Sequence, residues 1–248
     1  PSPGAAFFLL KEPAAMAIQQ GLGWMVLVAG MLVCWKPSLT VLAALTLLQT
    51  LITTAMWKMA DGFALQADFL PVQLLTLFPF ATQMARIVAP LGLLLLLRKR
   101  SAVAPERDDL TTIMQLLRWA IAVVFVAHGL EALQQNPTFL DLLINASYRL
   151  FGASLSEATA RRCLSIIGSL DLVVALACVT TWSPVVTSWM AFWGIFTAAS
   201  RIVANGWDTS WHETMIRMPH FGLPLAVAYW CYLLKSKRSK NELPPDAF

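Results

Sequence analysis

The sequence predicts an all-α, polytopic membrane protein with about seven transmembrane helices. Its residues are 58% hydrophobic and only 13% charged, whereas an ordinary soluble domain carries about 25% charged residues. Its uncharged runs reach the roughly 20 residues that an α-helix needs to cross a bilayer. Basic residues concentrate beside two of these runs, in Arg98–Arg100 and Lys235–Lys240. Such clusters next to apolar spans are typical of topology signals, so we expect a lipid bilayer and no nucleic acid as partner.

The predicted spans follow one another with short connections. They cover Ala14–Trp35, Leu39–Trp57, Ala81–Leu97, Leu116–Leu133, Arg162–Thr181, Val185–Ala204 and Met215–Leu234. Lys36-Pro37 and Ser183-Pro184 predict tight turns, because proline interrupts a helix. Between the fourth and fifth spans, Phe139–Leu155 has the pattern of an amphipathic segment lying at the membrane interface.

Positive charge sets the expected orientation. The connection Arg98–Arg118 and the tail after Leu234 are basic, which places both in the cytoplasm. The connections Gln134–Arg161 and Asn205–Thr214 then face outward. We therefore expect a multi-pass cell (inner) membrane protein with a cytoplasmic C-terminus.

The chain contains an internal repeat. Three segments of the first half recur in the same order in the second half. Gly21 and Trp35-x-Pro37 match Gly168 and Trp182-x-Pro184. Ala60–Phe63 matches Ala204–Trp207, and Pro90-Leu91 matches Pro224-Leu225. The alternative is that Trp and Pro are common in turns between membrane helices. Duplication predicts an incomplete three-helix repeat over 1–100, a cytoplasmic basic linker over 101–115, a four-helix repeat over 116–234 and a cytoplasmic tail over 235–248. Because the first repeat has no counterpart of the span Leu116–Leu133, we expect a further span upstream of Pro1.

The second repeat resembles the DoxX-like membrane family. The motifs that carry the resemblance are Arg118-Trp-Ala-x-x-x-x-Phe125-x-x-His128-Gly129, Gly168-x-x-Asp171, Trp193-Gly-x-x-Thr197-Ala198-x-x-Arg201, Glu213-x-x-x-Arg217 and Pro224-Leu225. The resemblance implies a four-helix membrane bundle, and it implies a link to quinone-coupled sulfur oxidation or oxidative-stress complexes. This chain departs from simple members of the family by carrying the incomplete first copy.

Two charged residues lie inside predicted spans. Asp171 and Arg201 are on neighbouring antiparallel helices, and their depths differ by about five residues, roughly 7 Å. Since a lone charge at mid-membrane costs about 2.5–3.5 kcal/mol on insertion scales, we expect the two to form an ion pair. The pair would serve as a structural clamp, with a catalytic role as the alternative.

Further polar residues gather at the predicted outward ends of the second-repeat helices. His128 and Glu131 share one helix face. The catalytic candidates are His128, Glu131, Glu213 and Arg217, and the metal-ligand candidates are His128, His212 and His220. A transition metal or a haem held by two of the histidines is one interpretation. A hydrogen-bonded network that holds the helices together is the other.

A quinone would use the same residues differently. His128 or His220 could hydrogen-bond a quinone carbonyl between the aromatic rings of Trp193 and Phe221, and Glu131 or Glu213 could exchange protons. The cofactor-binding candidates are therefore His128, His220, Trp193 and Phe221. In the first repeat Arg86 stands at the position of His220, so the two repeats differ at their polar positions.

The absence of recognisable nucleophile, phosphate-loop and dinucleotide motifs disfavours a soluble-substrate enzyme. The leading hypothesis is an accessory or structural membrane subunit, within a larger redox-type complex of other membrane subunits. The alternative is a quinone- or metal-linked oxidoreductase with its site at the outer face of the second repeat. A third hypothesis, suggested by the repeat, is a small-molecule transporter.

Overall fold

The described part of the chain is entirely helical. The computed structural model describes residues 12–36, 38–58, 77–102 and 107–239. Within these ranges there is no strand, and the nine helices are α1 (Glu12–Trp35), α2 (Leu39–Lys58), α3 (Phe78–Ala102), α4 (Arg107–Leu133), α5 (Pro137–Phe151), α6 (Glu157–Thr180), α7 (Pro184–Asn205), α8 (Trp207–Ile216) and α9 (Pro219–Ser239). The predicted all-α class is confirmed.

In the part of the chain that the structure describes, three helices are long and apolar enough to cross a membrane. They contain the spans Phe78–Arg98, Leu110–Leu133 and Glu157–Thr180, and shorter apolar stretches cover Gln20–Val33 and Leu39–Thr54. Helices α7 and α9 are 22 and 21 residues long, but polar, aromatic and basic residues lower their mean hydropathy: α7 includes Ser, Thr, Trp and Arg, and α9 includes Ser, Trp, Lys and Arg. The predicted count of seven spans remains a prediction.

Helix α4 lies at the centre of the packing. It packs along α3 on one side and along α6 on the other, and it also contacts α9. Its crossing with α6 is close because Gly129 and Gly168 face each other. A Cβ atom on Gly168 would lie 2.6 Å from the Gly129 carbonyl oxygen, so a larger residue cannot be added without moving a helix backbone.

A buried arginine of α4 holds the C-terminal end of α6. The Arg118 guanidinium donates hydrogen bonds to the carbonyl oxygens of Cys178 and Val179. Its Cζ atom lies 4.3 Å from the ring centroid of Trp182. The last carbonyls of a helix lack partners within the helix, so Arg118 supplies donors that α6 itself cannot.

One packing pattern occurs twice. Helix α2 packs along α3 while α1 touches α2 only lightly, and α7 packs along α9 while α6 touches α7 only lightly. Both α3 and α9 contain an internal proline, Pro90 and Pro224. The internal repeat itself stays a prediction. Of the repeat's sequence motifs, Ala60–Phe63 lies outside the described residues.

Helix bounds differ from the prediction at two places. The predicted span Met215–Leu234 is interrupted, because α8 ends at Ile216 and α9 begins at Pro219, whose missing N–H is tolerated in a first helical turn. Helix α4 begins at Arg107, so most of the predicted 101–115 linker is helical.

The two predicted helix breaks at proline are confirmed. Helix α1 ends at Trp35 and α2 begins at Leu39, on either side of the first predicted turn. Helix α6 ends at Thr180 and α7 begins at Pro184, on either side of the second. Proline in the first turn of α7 has no N–H to leave unsatisfied, so it starts that helix without cost.

The predicted amphipathic segment is helix α5. Asn136 caps its first turn by accepting a hydrogen bond from the Thr138 N–H at 3.0 Å, and Gly152 ends it in a left-handed conformation with φ of 69°. Helix α5 packs across α7 and α6. It therefore bridges two helices that make little contact with each other.

Candidate functional site

A cavity of about 600 Å³ lies beneath α5, between α4, α6 and α7. Its walls are mostly apolar and include Val124, Phe125, Leu143, Leu164 and Phe196. This volume is within the range of small-molecule sites, which run from about 300 to 1,000 Å³. Helices α6 and α7 touch each other only lightly, and α5 packs against both of them.

Five charged or imidazole side chains line this apolar cavity, and Trp193 lines it with them. They are His128, Asp171, Arg201, Arg217 and His220. The sequence predicts all five as candidates, so the fold brings most of the predicted site to one space. Phe221 is the exception among the cofactor candidates, because it is not one of the residues that form the cavity wall.

Arg201 forms its ion pair with Glu213 and not with Asp171. Arg201 Nε lies 3.3 Å from Glu213 Oε2, and Arg201 Nη1 donates to the Thr197 carbonyl oxygen at 3.2 Å. The Asp171–Arg201 pair expected from the sequence is therefore not formed. The physical reason is helix α8, which carries Glu213 back over the end of α7, where the sequence indicates only a connection.

Asp171 is satisfied in a different way. It is buried, and its carboxylate is hydrogen-bonded to the side chain of Trp193. Trp193 in turn stacks on Phe196 and Trp189, with ring centroids 5.4 and 6.0 Å away. Asp171 thus fixes an aromatic wall of the cavity.

His128 and His220 meet at one end of the cavity. Their ring centroids are 5.8 Å apart, and His128 Nδ1 lies 2.8 Å from Glu131 Oε2. From the sequence, closing the second-repeat bundle is expected to bring these groups to the same depth. The structure brings the His128 and His220 rings together, and their common membrane depth stays a prediction.

His220 is held in place by backbone atoms. Its Nε2 lies 3.4 Å from the Thr82 carbonyl oxygen of α3, and its Nδ1 lies 3.2 Å from the Arg217 carbonyl oxygen. The backbone of His220 also presses against Gly194 of α7, where a Cβ atom would clash with the His220 carbonyl oxygen. Because both ring nitrogens face acceptors, His220 is poorly arranged to ligate a haem iron.

His212 lies apart from the other two histidines. It packs against α1, where a Cβ atom on Gly23 would be 3.0 Å from the His212 Cβ, and the adjacent Trp211 ring is 4.8 Å from that of Trp24. Among the described residues, no group of three or more His, Cys, Asp or Glu side chains could hold a metal ion. The metal prediction for His128, His212 and His220 is therefore not supported, because α8 turns His212 toward α1.

Arg86 joins the site from α3. Its charge interacts with those of Arg201 and Glu213, and it also acts on His220 and Arg217. We call the resulting group of seven side chains the polar cluster; it consists of Arg86, His128, Glu131, Arg201, Glu213, Arg217 and His220. The sequence offers one signal for Arg86, because the predicted repeat aligns it with His220. The site expected from the sequence nevertheless lies in the second repeat alone and does not include Arg86.

Glu213 also borders a second space. A polar cleft of about 600 Å³ lies between α5, α7 and α8, lined by Asn145, Tyr148, Arg149, Asn205, Thr209 and Glu213 among others. Arg201 faces the apolar cavity, whereas its partner Glu213 faces this cleft. The ion pair therefore stands between the two spaces.

No protein-family model, no curated protein and no solved structure matches the chain, so the function proposed below rests on the geometry of the cavity and the polar cluster.

Proposed function

We propose that the protein is a multi-pass inner-membrane protein whose second repeat binds an apolar-tailed ligand, acting as an accessory subunit of a redox-type membrane complex. In this proposal the second repeat is a DoxX-like bundle, the polar cluster lies toward the outer face, and the C-terminus is cytoplasmic. The basic flanks Arg98–Arg100 and Lys235–Lys240 support that orientation.

The observation that carries the proposal is the form of the cavity. Apolar side chains make up most of its wall, and His128, Arg201, Arg217 and His220 of the polar cluster line it as well. A site of this kind buries an apolar body and orients it through a few polar contacts. Hydrocarbon-soluble molecules with one polar head group match that description.

The cavity is also placed where such molecules could enter. Phe151 and Phe196 line it, yet they are 79% and 53% exposed on the surface of the bundle. The side of the cavity between α5 and α7 is therefore rimmed by exposed aromatic rings. In a bilayer this rim faces lipid, so a ligand can pass sideways without crossing water.

A quinone-linked oxidoreductase is the second candidate. It is favoured by Trp193, which offers an aromatic face in the cavity, and by the N–H groups of Arg201 and Arg217, which can donate to quinone carbonyl oxygens. A bound quinone would supply the electron-accepting chemistry. The chain would position the head group and exclude water from it, with Glu213 bordering the polar cleft as a route for protons.

The test is to identify what the purified protein retains. Protein extracted from its native membrane in mild detergent is washed, and apolar molecules are extracted with organic solvent and identified by mass spectrometry. We expect one class of molecule near equimolar amount in the wild type. Thr197→Trp, which fills the cavity, should abolish retention, while Phe192→Trp on the exposed face of the same helix should preserve it.

The outcomes separate the candidates. A retained quinone supports the second candidate, and another apolar-tailed molecule supports the first. Equal retention by both tryptophan variants, or none by the wild type, would contradict binding in the cavity. Copurification of other membrane subunits at fixed stoichiometry supports the accessory role, and a lone monodisperse chain contradicts it.

A further inference from the structure

The polar cluster contains more cationic than anionic groups. Its three guanidinium groups belong to Arg86, Arg201 and Arg217, and its two carboxylates belong to Glu131 and Glu213. The charges are close enough to act on one another, because Arg217 is repelled by both other arginines and attracted by both glutamates. With neutral histidines, the cluster therefore has one uncompensated positive charge.

The carboxylates are already engaged. Glu213 pairs with Arg201 at 3.3 Å, and Glu131 accepts from His128 at 2.8 Å. In contrast, the Nε atoms of Arg86 and Arg217 are buried and have no hydrogen-bond partner among the residues that the structure describes. Leaving a buried donor unsatisfied is costly, and it is more costly when the donor is charged. Two such groups in one cluster point to a partner that is not part of the described protein.

Asp171 does not supply that partner. Although it lines the same cavity, it is hydrogen-bonded to Trp193, and it forms no ion pair with an arginine of the described residues. The surplus of positive charge remains beside Arg201 and Arg217, which both line the cavity.

We infer that the ligand of the cavity is an acidic amphiphile, whose carboxylate or phosphate head is bound by Arg217 and Arg201 and whose tail lies among the apolar walls. Planar guanidinium groups match carboxylate and phosphate oxygens in paired hydrogen bonds. Arg86 adds a third positive charge from the first repeat. This inference rests on the proposed function, because it names the head group of the apolar-tailed ligand.

The inference also gives the first repeat a role. Arg86 is on α3, and α3 contacts the second repeat through the Thr82 carbonyl oxygen at His220. The head-group site is thus built from both repeats. A second repeat on its own would carry two guanidinium groups against two carboxylates, and it would lack the surplus charge that selects an acid.

The experiment compares ligands that differ only in the head group. Wild-type full-length chain in a bulky steroid-glycoside detergent is titrated with dodecyl phosphate, dodecanoic acid, dodecanol, inorganic phosphate and a short-chain quinone, and binding is followed by thermal stabilisation. We expect stabilisation by the two acids at concentrations at least ten-fold lower than by dodecanol, and none by inorganic phosphate.

Substitutions locate the head group. Arg217→Gln and Arg86→Gln should each weaken binding of the two acids at least ten-fold, because each removes one positive charge from the cluster. Arg161→Gln, at an exposed pair with Glu157, is the matched control and should change nothing.

Each outcome decides between the two proposals. Equal binding of dodecanol and the acids overturns the acidic head group and leaves the apolar cavity as proposed. Inorganic phosphate acting as well as dodecyl phosphate overturns the amphiphile, since a free anion would then suffice. A quinone binding more tightly than both acids also overturns the inference. Binding of no apolar compound, together with no retained molecule, contradicts the proposed function itself. The wild-type comparison stands even where a variant does not fold.

Discussion

Arg201 Nε lies 3.3 Å from Glu213 Oε2, which joins the end of α7 to the short helix that follows it. The chain reverses between them at Gly206, whose φ of 91° lies in the left-handed region that favours glycine. The pair closes the polar end of the cavity against the polar cleft. It also supplies a counter-charge for Arg201, whose side chain is only 10% exposed.

A double-mutant cycle should detect coupling of Arg201 to Glu213 and no coupling of Arg201 to Asp171. Arg201→Gln and Glu213→Gln should each destabilise the protein, with a coupling free energy of about 1 kcal/mol because Glu213 is partly exposed. Arg201→Gln and Asp171→Asn should be additive to within about 0.5 kcal/mol. Denaturant unfolding in detergent measures both cycles. A larger coupling with Asp171 than with Glu213 would restore the ion pair that the sequence predicts.

The crossing of α4 and α6 should tolerate no side chain at Gly168. Gly168→Ala should destabilise the protein by about 1–3 kcal/mol, because the added methyl group overlaps the backbone of Gly129. Gly222→Ala is the matched control, since no atom lies within 4 Å of a Cβ there and alanine favours helix. Melting temperatures in detergent compare the two. A drop of the same size in both variants would contradict the close crossing.

Arg118 should be irreplaceable by lysine. Arg118→Lys should lose about 1.5–3 kcal/mol, because lysine keeps the charge but cannot donate to both the Cys178 and Val179 carbonyls while stacking on Trp182. Arg149→Lys, on the exposed last turn of α5, should be neutral. Hydrogen exchange at the end of α6 provides the local measurement. Unchanged protection in Arg118→Lys would show that the guanidinium does not hold this helix end.

A substitution at Gly194 should weaken ligand binding indirectly, by moving residues of the polar cluster. Gly194→Ala pushes the His220 backbone away from α7, which shifts His220 and Arg217 relative to Arg201. We expect at least a ten-fold loss of retained ligand, measured by solvent extraction and mass spectrometry. Gly222→Ala adds the same methyl group into open space on α9 and should keep the ligand. If Gly194→Ala retained as much ligand as the wild type, ligand binding would not depend on the contact between Gly194 and the His220 backbone.

Much of the fold follows from the sequence because its physical cause is local. Long apolar runs set the helices, and Pro184 begins α7 after the break that follows Thr180. His128 and His220 can be predicted as neighbours because antiparallel spans bring helix ends together. These relations depend only on span order and length.

The remaining features depend on tertiary contacts. Pro219 interrupts a run that reads as one span, and the helix before it turns Glu213 toward Arg201 and His212 toward Gly23. Hydropathy does not record which way a ten-residue helix faces. Treating each repeat as a self-contained bundle separates Arg86 from the site. The packing of α3 against α4 and α9 brings Arg86 to the site.

Photoaffinity labelling shows whether a ligand occupies the cavity beneath α5. A dodecanoic acid with a diazirine on its tail is irradiated with the protein, and labelled residues are mapped by mass spectrometry. We expect labels at cavity residues such as Leu143 and Val124, lost with excess unlabelled acid and lost in Thr197→Trp. Labels confined to exposed positions such as Phe192 and Val173, unaffected by competitor, would show that the cavity binds no such ligand.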